Sequence, residues 1–152
     1  MISAELVEVA RHLAQNPSKG KLKQAHTRRA ISTAYYALFH ALVTLCANEL
    51  VGIGKSKSAA WARTYRALEH GFAKSVLIDL ARRTRERDIE TLSEIFVALQ
   101  QYRHEADYDP HQTFSVGGPY VRMAELGLST LSRLSGDMKL ELATTLVMRT
   151  RR

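Results

Sequence analysis

The stretch Arg103-His104-Glu105-Ala106-Asp107-Tyr108-Asp109, followed by His111, gathers a guanidinium, two imidazoles, three carboxylates and a phenol within nine residues. Arginine grips phosphate through paired hydrogen bonds, and a neighbouring imidazole or phenol can move a proton. A second concentration runs from Arg28-Arg29-Ala30-Ile31-Ser32-Thr33-Ala34 into Tyr35-Tyr36-Ala37-Leu38-Phe39-His40-Ala41. Several tempting motifs fail on spacing. A zincin helix beginning at His104-Glu105 needs its second imidazole at position 108, which is tyrosine, so the acids and imidazoles there read as solvated helix-end groups. No metal or other cofactor is expected. Gly54-Lys55-Ser56 ends like a phosphate-binding loop, but its first glycine would fall at Glu49 and no strand precedes it. No Ser/His/Asp triad can be assigned from spacing.

The elements that must position these groups read as helices throughout. Ser3 is a candidate N-cap for a first helix with Leu6, Ala10, Leu13 and Ala14 on one face, ended by Asn16-Pro17-Ser18-Lys19-Gly20. A long helix from about Leu22 to Leu50 repeats Ile31, Tyr35, Leu38, Leu42 and Leu45 at helical spacing, while Tyr36, Phe39 and Val43 make its other side apolar too. Such a helix belongs at the centre of a bundle. After a loop at Gly52 and Gly54 comes a stretch carrying Trp61, Tyr65, Leu68 and Phe72, with Gly71 as a candidate break before Val76 to Arg82. A further helix over Glu86 to Asp107 carries a seam of Ile89, Leu92, Phe96, Leu99, Arg103 and Ala106. Tyr108 to Gly118 reads as the longest loop, Pro119 as first-turn proline of the next helix, and Asp137 as the cap of the last, after Gly136. No period-two strand or repeat is visible, so the fold class is all-α, with about five to six helices. Residues 1–148 read as a single domain and 149–152 as a basic tail.

Charge divides the chain. Its 22 Lys and Arg against 15 Asp and Glu give +7. Residues 1–76 hold eleven cations and four acids, whereas residues 77–152 hold eleven of each, so the whole excess lies in the N-terminal half. Lys19, Lys21, Lys23, Arg28 and Arg29 form one cluster, and Lys55, Lys57, Arg63 and Arg66 another. Clusters of this kind attract phosphate backbones or acidic proteins; the alternative is a solvated, solubilising face. The lone Cys46 excludes an intrachain disulfide framework, and Glu5 and Glu8 stand where a secretory signal needs a basic start. A cytoplasmic location is therefore expected. The uncharged run Ala30 to Asn48 has membrane-spanning length, but its serine, threonine, tyrosine and histidine content favours a buried helix, and no membrane association is expected.

The Arg28 to Ala41 segment resembles the signature helix of HEPN domains (higher eukaryotes and prokaryotes nucleotide-binding), in which an arginine-led helix carries a Tyr-Tyr-Ala-x-Phe-His run. Arg103 to Asp109 resembles the Arg-x-x-Ala-Asp-Tyr-Asp ending found in a small stand-alone bacterial branch of that family. The resemblance covers most of the chain in helix order. It implies an up-and-down, HEPN-like helical bundle, a homodimer, and RNA binding with metal-independent endoribonuclease chemistry in toxin-antitoxin or other defence systems. In that chemistry a ribose 2'-hydroxyl attacks the adjacent phosphate, arginine stabilises the developing charge and histidine moves a proton.

Carried across residue by residue, Arg103 takes the arginine position, and Tyr108 stands where the motif histidine would be. The catalytic candidates are Arg103, Tyr108 and His104, with His111 as another stand-in; Arg63 to His70 also satisfies an Arg-x6-His spacing. The RNA-binding candidates are Arg28, Arg29, Lys55, Lys57, Arg63 and Arg66. One of the two clusters, Lys19 to Arg29 or Lys55 to Arg66, is expected to approach Arg103, within a protomer or across a dimer. The alternative is a catalytically inactive module that binds a protein partner such as a nucleotidyltransferase antitoxin, or a nucleotide. Simpler roles stand beside these: Arg103 as a seam arginine paired with Asp107, Tyr35, Tyr36 and Phe39 as packing, His40 as a hydrogen-bonded core histidine, and Trp61 as packing rather than a base-stacking surface.

Overall fold

A computed structural model describes residues 2–149. Among them the α-helices are α1 (Ile2–Gln15), α2 (Gly20–Leu50), α3 (Ala59–Tyr65), α4 (His70–Thr84), α5 (Arg87–Tyr108), α6 (Gly118–Arg133) and α7 (Gly136–Val147), with a 3-10 turn at Ile53–Lys55. The architecture is an all-α helical bundle, as the periodicity predicts, with seven α-helices among the described residues instead of five to six. The additional helix arises because the break falls at Arg66 to Glu69, not at Gly71, which lies inside α4. Arg66 closes α3 by donating its N–H to Ala62 O and Thr64 O.

Two further boundaries differ for local reasons. Ser3 is buried within α1 and so is not its cap. Ser135, not Asp137, caps α7: its hydroxyl accepts the Met138 N–H, and Asp137 sits in the first turn, where a carboxylate complements the helix dipole. At α5 the Glu86 carboxylate accepts the Ile89 N–H at 3.1 Å, which fixes the start of that helix. The tail beyond Arg149 lies outside the described residues.

The described chain clusters into two compact units, neither contiguous in sequence. The first joins the chain up to His40 with Glu94–Ser129; the second joins Ala41–Ser93 with the chain from Thr130 onward. The boundary falls within α2, α5 and α6, so each of these three helices contributes residues to both units. In the first unit Ile31, Tyr35, Leu38, Phe96 and Leu99 are fully buried; in the second, Leu42, Leu77, Leu80, Leu92 and Leu142 are. By length and composition α2 is apolar enough to cross a membrane, and 72% of its apolar window is buried inside the protein.

Two glycines make opposite predictions. A Cβ at Gly117 would lie 3.0 Å from Ala14 Cβ, 3.1 Å from Ala30 Cβ and 3.3 Å from the Ala14 Cα, so the loop meets α1 and α2 at backbone distance and nothing there can move aside. At Gly71 the same atom meets open space inside a helix. Chemical denaturation is expected to show Gly117→Ala destabilising the protein by about 1–3 kcal/mol and Gly71→Ala stabilising it by about 0.5–1 kcal/mol.

Candidate functional site

The C-terminal end of α5 carries the residues of interest, and an arginine of α2 holds it in place. A helix end leaves its last carbonyls without intrahelical donors. Arg28 Nη1 supplies donors to Ala106 O at 2.8 Å and Asp109 O at 2.9 Å, with a long contact to Glu105 O at 3.5 Å, while its Nη2 donates to Gln112 O. One turn away the Gln24 side-chain amide pairs reciprocally with the Phe114 backbone, donating to its carbonyl at 2.6 Å and accepting its N–H at 3.1 Å. The loop is thereby fixed to α2, and Phe114 is buried beside Ile31 and Ala106, with Tyr102 and Tyr120 packed against them. Arg28, an RNA-contact candidate in the sequence, has both terminal nitrogens engaged by main-chain carbonyls of the helix end and of the loop that leaves it, so it serves the structure of this unit. Within the Lys19 to Arg29 segment it is Arg28 that reaches the end of the helix carrying Arg103, on carbonyls three and six residues beyond Arg103.

Arg103 lies in the same unit. Its side chain is 14% exposed, its guanidinium carbon lies 5.2 Å from the Tyr35 ring centre and 5.7 Å from that of Tyr36, and its Nη1 lies 3.7 Å from the Asp107 carboxylate. Ser32 Oγ donates to the same Asp107 oxygen at 3.2 Å. The Arg103 Nε is buried with no hydrogen-bond acceptor among the described residues, so the two rings and the carboxylate supply its compensation for leaving water. Burial pushes the Tyr35 hydroxyl up to about 12, against the downward pull of Gln100 and Arg103. The sequence thus brings Arg103, Asp107, Tyr35 and Tyr36 together as an ion pair roofed by aromatics, with Ser32 as a participant that no motif marked.

The other catalytic candidates are placed elsewhere on the helix. Residues four apart share a face and residues five apart do not. Arg103 accordingly meets Asp107, while His104 packs against Tyr108 on an exposed face, the ring centres 5.1 Å apart and the planes inclined by 52°, Tyr108 being 66% exposed. His111 is exposed in the loop, its N–H donating to Asp109 Oδ1. Burial lowers the His40 pKa, which favours its neutral form. Cys46 is buried, and its thiol is pushed up to about 12. Among the described residues no group of three or more His, Cys, Asp or Glu is placed to hold a metal ion.

The basic residues divide by how their charge is used. Lys19, Lys21, Lys23 and Arg29 in the first unit, and Lys55, Lys57, Arg63 and Arg66 in the second, are exposed and, among the described residues, make no ion pair. In the neutral half Arg82 and Arg83 pair with Asp79, Arg133 with Asp88, and Arg149 with Glu69. Arg83 and Arg82 hold the Asp79 carboxyl below its ordinary range. Comparison with family models, with curated proteins and with solved structures gives no match to this chain.

Two predictions follow from these contacts. Arg28→Met leaves helix-end carbonyls without donors and is expected to cost about 2 kcal/mol of stability, with Arg28→Lys recovering only part because one ammonium cannot span the same acceptors. Folding also becomes pH-dependent in alkali. Tyr35 and Cys46 both ionise to anions that the folded state disfavours, so their contribution is complete below their unfolded pKa values and is lost as pH rises toward about 12. Denaturation midpoints measured against pH should fall from about pH 8.5–10 upward, with Cys46→Ala removing the earlier part of the decline and Tyr35→Phe the later.

Proposed function

We propose that this chain is a HEPN-type module that binds RNA, acts as a homodimer in the cytoplasm, and contacts the phosphate backbone through the unpaired cations of its N-terminal half. The observation that carries the reading is the difference in charge use: among the described residues the cations of both N-terminal clusters other than Arg28 stand exposed without an acid partner, while five of the nine cations after residue 76 are ion-paired, Arg85, Arg87, Arg122 and Lys139 being the exceptions. An exposed cation with no internal partner keeps its field for an external anion. The Tyr-Tyr and Ala-Asp-Tyr-Asp resemblances supply RNA as the anion.

Cleavage receives less support than binding. Arg103 already faces a carboxylate and two rings, and His104 and Tyr108 contact each other instead of the guanidinium. A nucleolytic site of the kind the resemblance implies needs its arginine and its proton carrier to reach one phosphate. The favoured reading is therefore RNA binding by the bundle itself, with the inactive partner-binding module as its rival.

Labelled single-stranded RNA incubated with the protein in excess EDTA tests this. The expected result is retention that weakens steeply with salt and leaves the RNA intact. The triple variant Lys19→Gln, Lys21→Gln, Lys23→Gln should reduce the slope of log affinity against log salt by about 2. Cyclic-phosphate ends that vanish in Arg103→Ala would restore the endoribonuclease reading. Absence of retention even at low salt would reject RNA as the ligand and favour a protein partner.

A further inference from the structure

α3 is unusual in this molecule because none of its seven residues is buried. It presents instead an aromatic pair. Trp61 and Tyr65, four residues apart and so on one face, have ring centres 5.0 Å apart and ring planes inclined by only 23°. Both rings are half-buried, in contrast to the fully buried Tyr35 and Phe96 of the core. Their polar tips are tied to the last part of α2: the Trp61 indole N–H donates to Asn48 Oδ1 at 2.9 Å, and the Tyr65 hydroxyl hydrogen-bonds with Thr44. The N-terminus of the helix is fixed as well, since Ser58 Oγ accepts the Trp61 N–H at 3.1 Å. The pair is therefore held in one orientation by bonds at its edges, while part of its surface stays open to solvent.

The surroundings are cationic. Lys55, Lys57, Arg63 and Arg66 flank the pair in sequence, all exposed and, among the described residues, without an ion pair. Ile53, in the turn that leads to α3, is 81% exposed. A rigid aromatic surface bordered by unpaired cations is the arrangement that accepts an unstacked base while its phosphates are neutralised. A duplex does not offer this, because its base faces are already stacked.

We infer that the Trp61–Tyr65 pair is a base-stacking site for single-stranded nucleic acid, with Lys55, Lys57, Arg63 and Arg66 holding the flanking phosphates. The inference rests on the RNA-binding reading and deepens it, by specifying an unpaired strand as the ligand and α3 as a place where a base is held.

Trp61 is the only tryptophan of the chain, so its emission reports on this site alone. Single-stranded oligouridylate and oligoadenylate, and a fully paired RNA duplex of the same length, are titrated into the whole protein while emission and retention are both followed. The expected result is strong quenching by the single strands, little by the duplex, and about a tenfold loss of single-strand affinity in Trp61→Ala that Trp61→Phe largely restores. Should Trp61→Ala fail to fold by circular dichroism, Lys57→Glu with Arg66→Glu decides instead, because it leaves the fluorophore in place and should abolish quenching. Single strands retained with unchanged Trp61 emission, or a duplex that quenches equally, would overturn the inference while leaving RNA binding intact. No retention of any RNA would overturn both.

Discussion

The last carbonyls of α5 need donors, and the arrangement of the first unit follows from the way Arg28 provides them. One guanidinium from α2 reaches Ala106, Asp109 and Gln112, and so spans the helix end and the chain that leaves it. With Gln24 holding Phe114 a turn earlier, the path between α5 and α6 is fixed against α2. That registration places Ser32 against Asp107 and the Tyr35 and Tyr36 rings against Arg103. Cation and carbonyl complement each other here twice over, as hydrogen-bond partners and as charge against the negative end of a helix dipole.

Charge in this protein is therefore used in two ways. Some cations are structural: Arg28 on carbonyls, Arg11 on Glu8 and Glu125, Arg103 under two tyrosines beside Asp107. Others have no internal task. Removing a structural cation exposes unsatisfied acceptors or carboxylates and costs stability; removing an exposed, unpaired one changes little but the external field. The distinction separates the residues that build the bundle from those available to a polyanion, and it moves Arg28 from the second group to the first.

Much of the fold was legible because helical periodicity is a local property. The Ile31, Tyr35, Leu38, Leu42 series marked a helix apolar on more than one side, and that helix is α2. The loop before α6 and the proline in its first turn were likewise readable from residue type. What was not legible depended on distant partners. Nothing in the Arg28-Arg29 pair shows that one guanidinium faces carbonyls some eighty residues away while the other meets solvent. The seam irregularity at Arg103 did signal an acid partner, and Asp107 is that partner. By contrast, the linear motif placed Arg103, His104 and Tyr108 together although a helix turns them to different faces. Trp61 read as packing because a lone tryptophan usually is; its stack on Tyr65 and the absence of buried neighbours on α3 emerge only from the folded chain.

The account's central claim is that the unpaired cations of the N-terminal half are the surface that RNA meets. Lysine-selective acylation, mapped by mass spectrometry with and without saturating single-stranded RNA, tests it most directly. The account predicts that Lys19, Lys21, Lys23, Lys55 and Lys57 become protected while Lys139 of the neutral half reacts as before. Protection of Lys139 to the same extent, or no protection at the N-terminal lysines while RNA is bound, would contradict it.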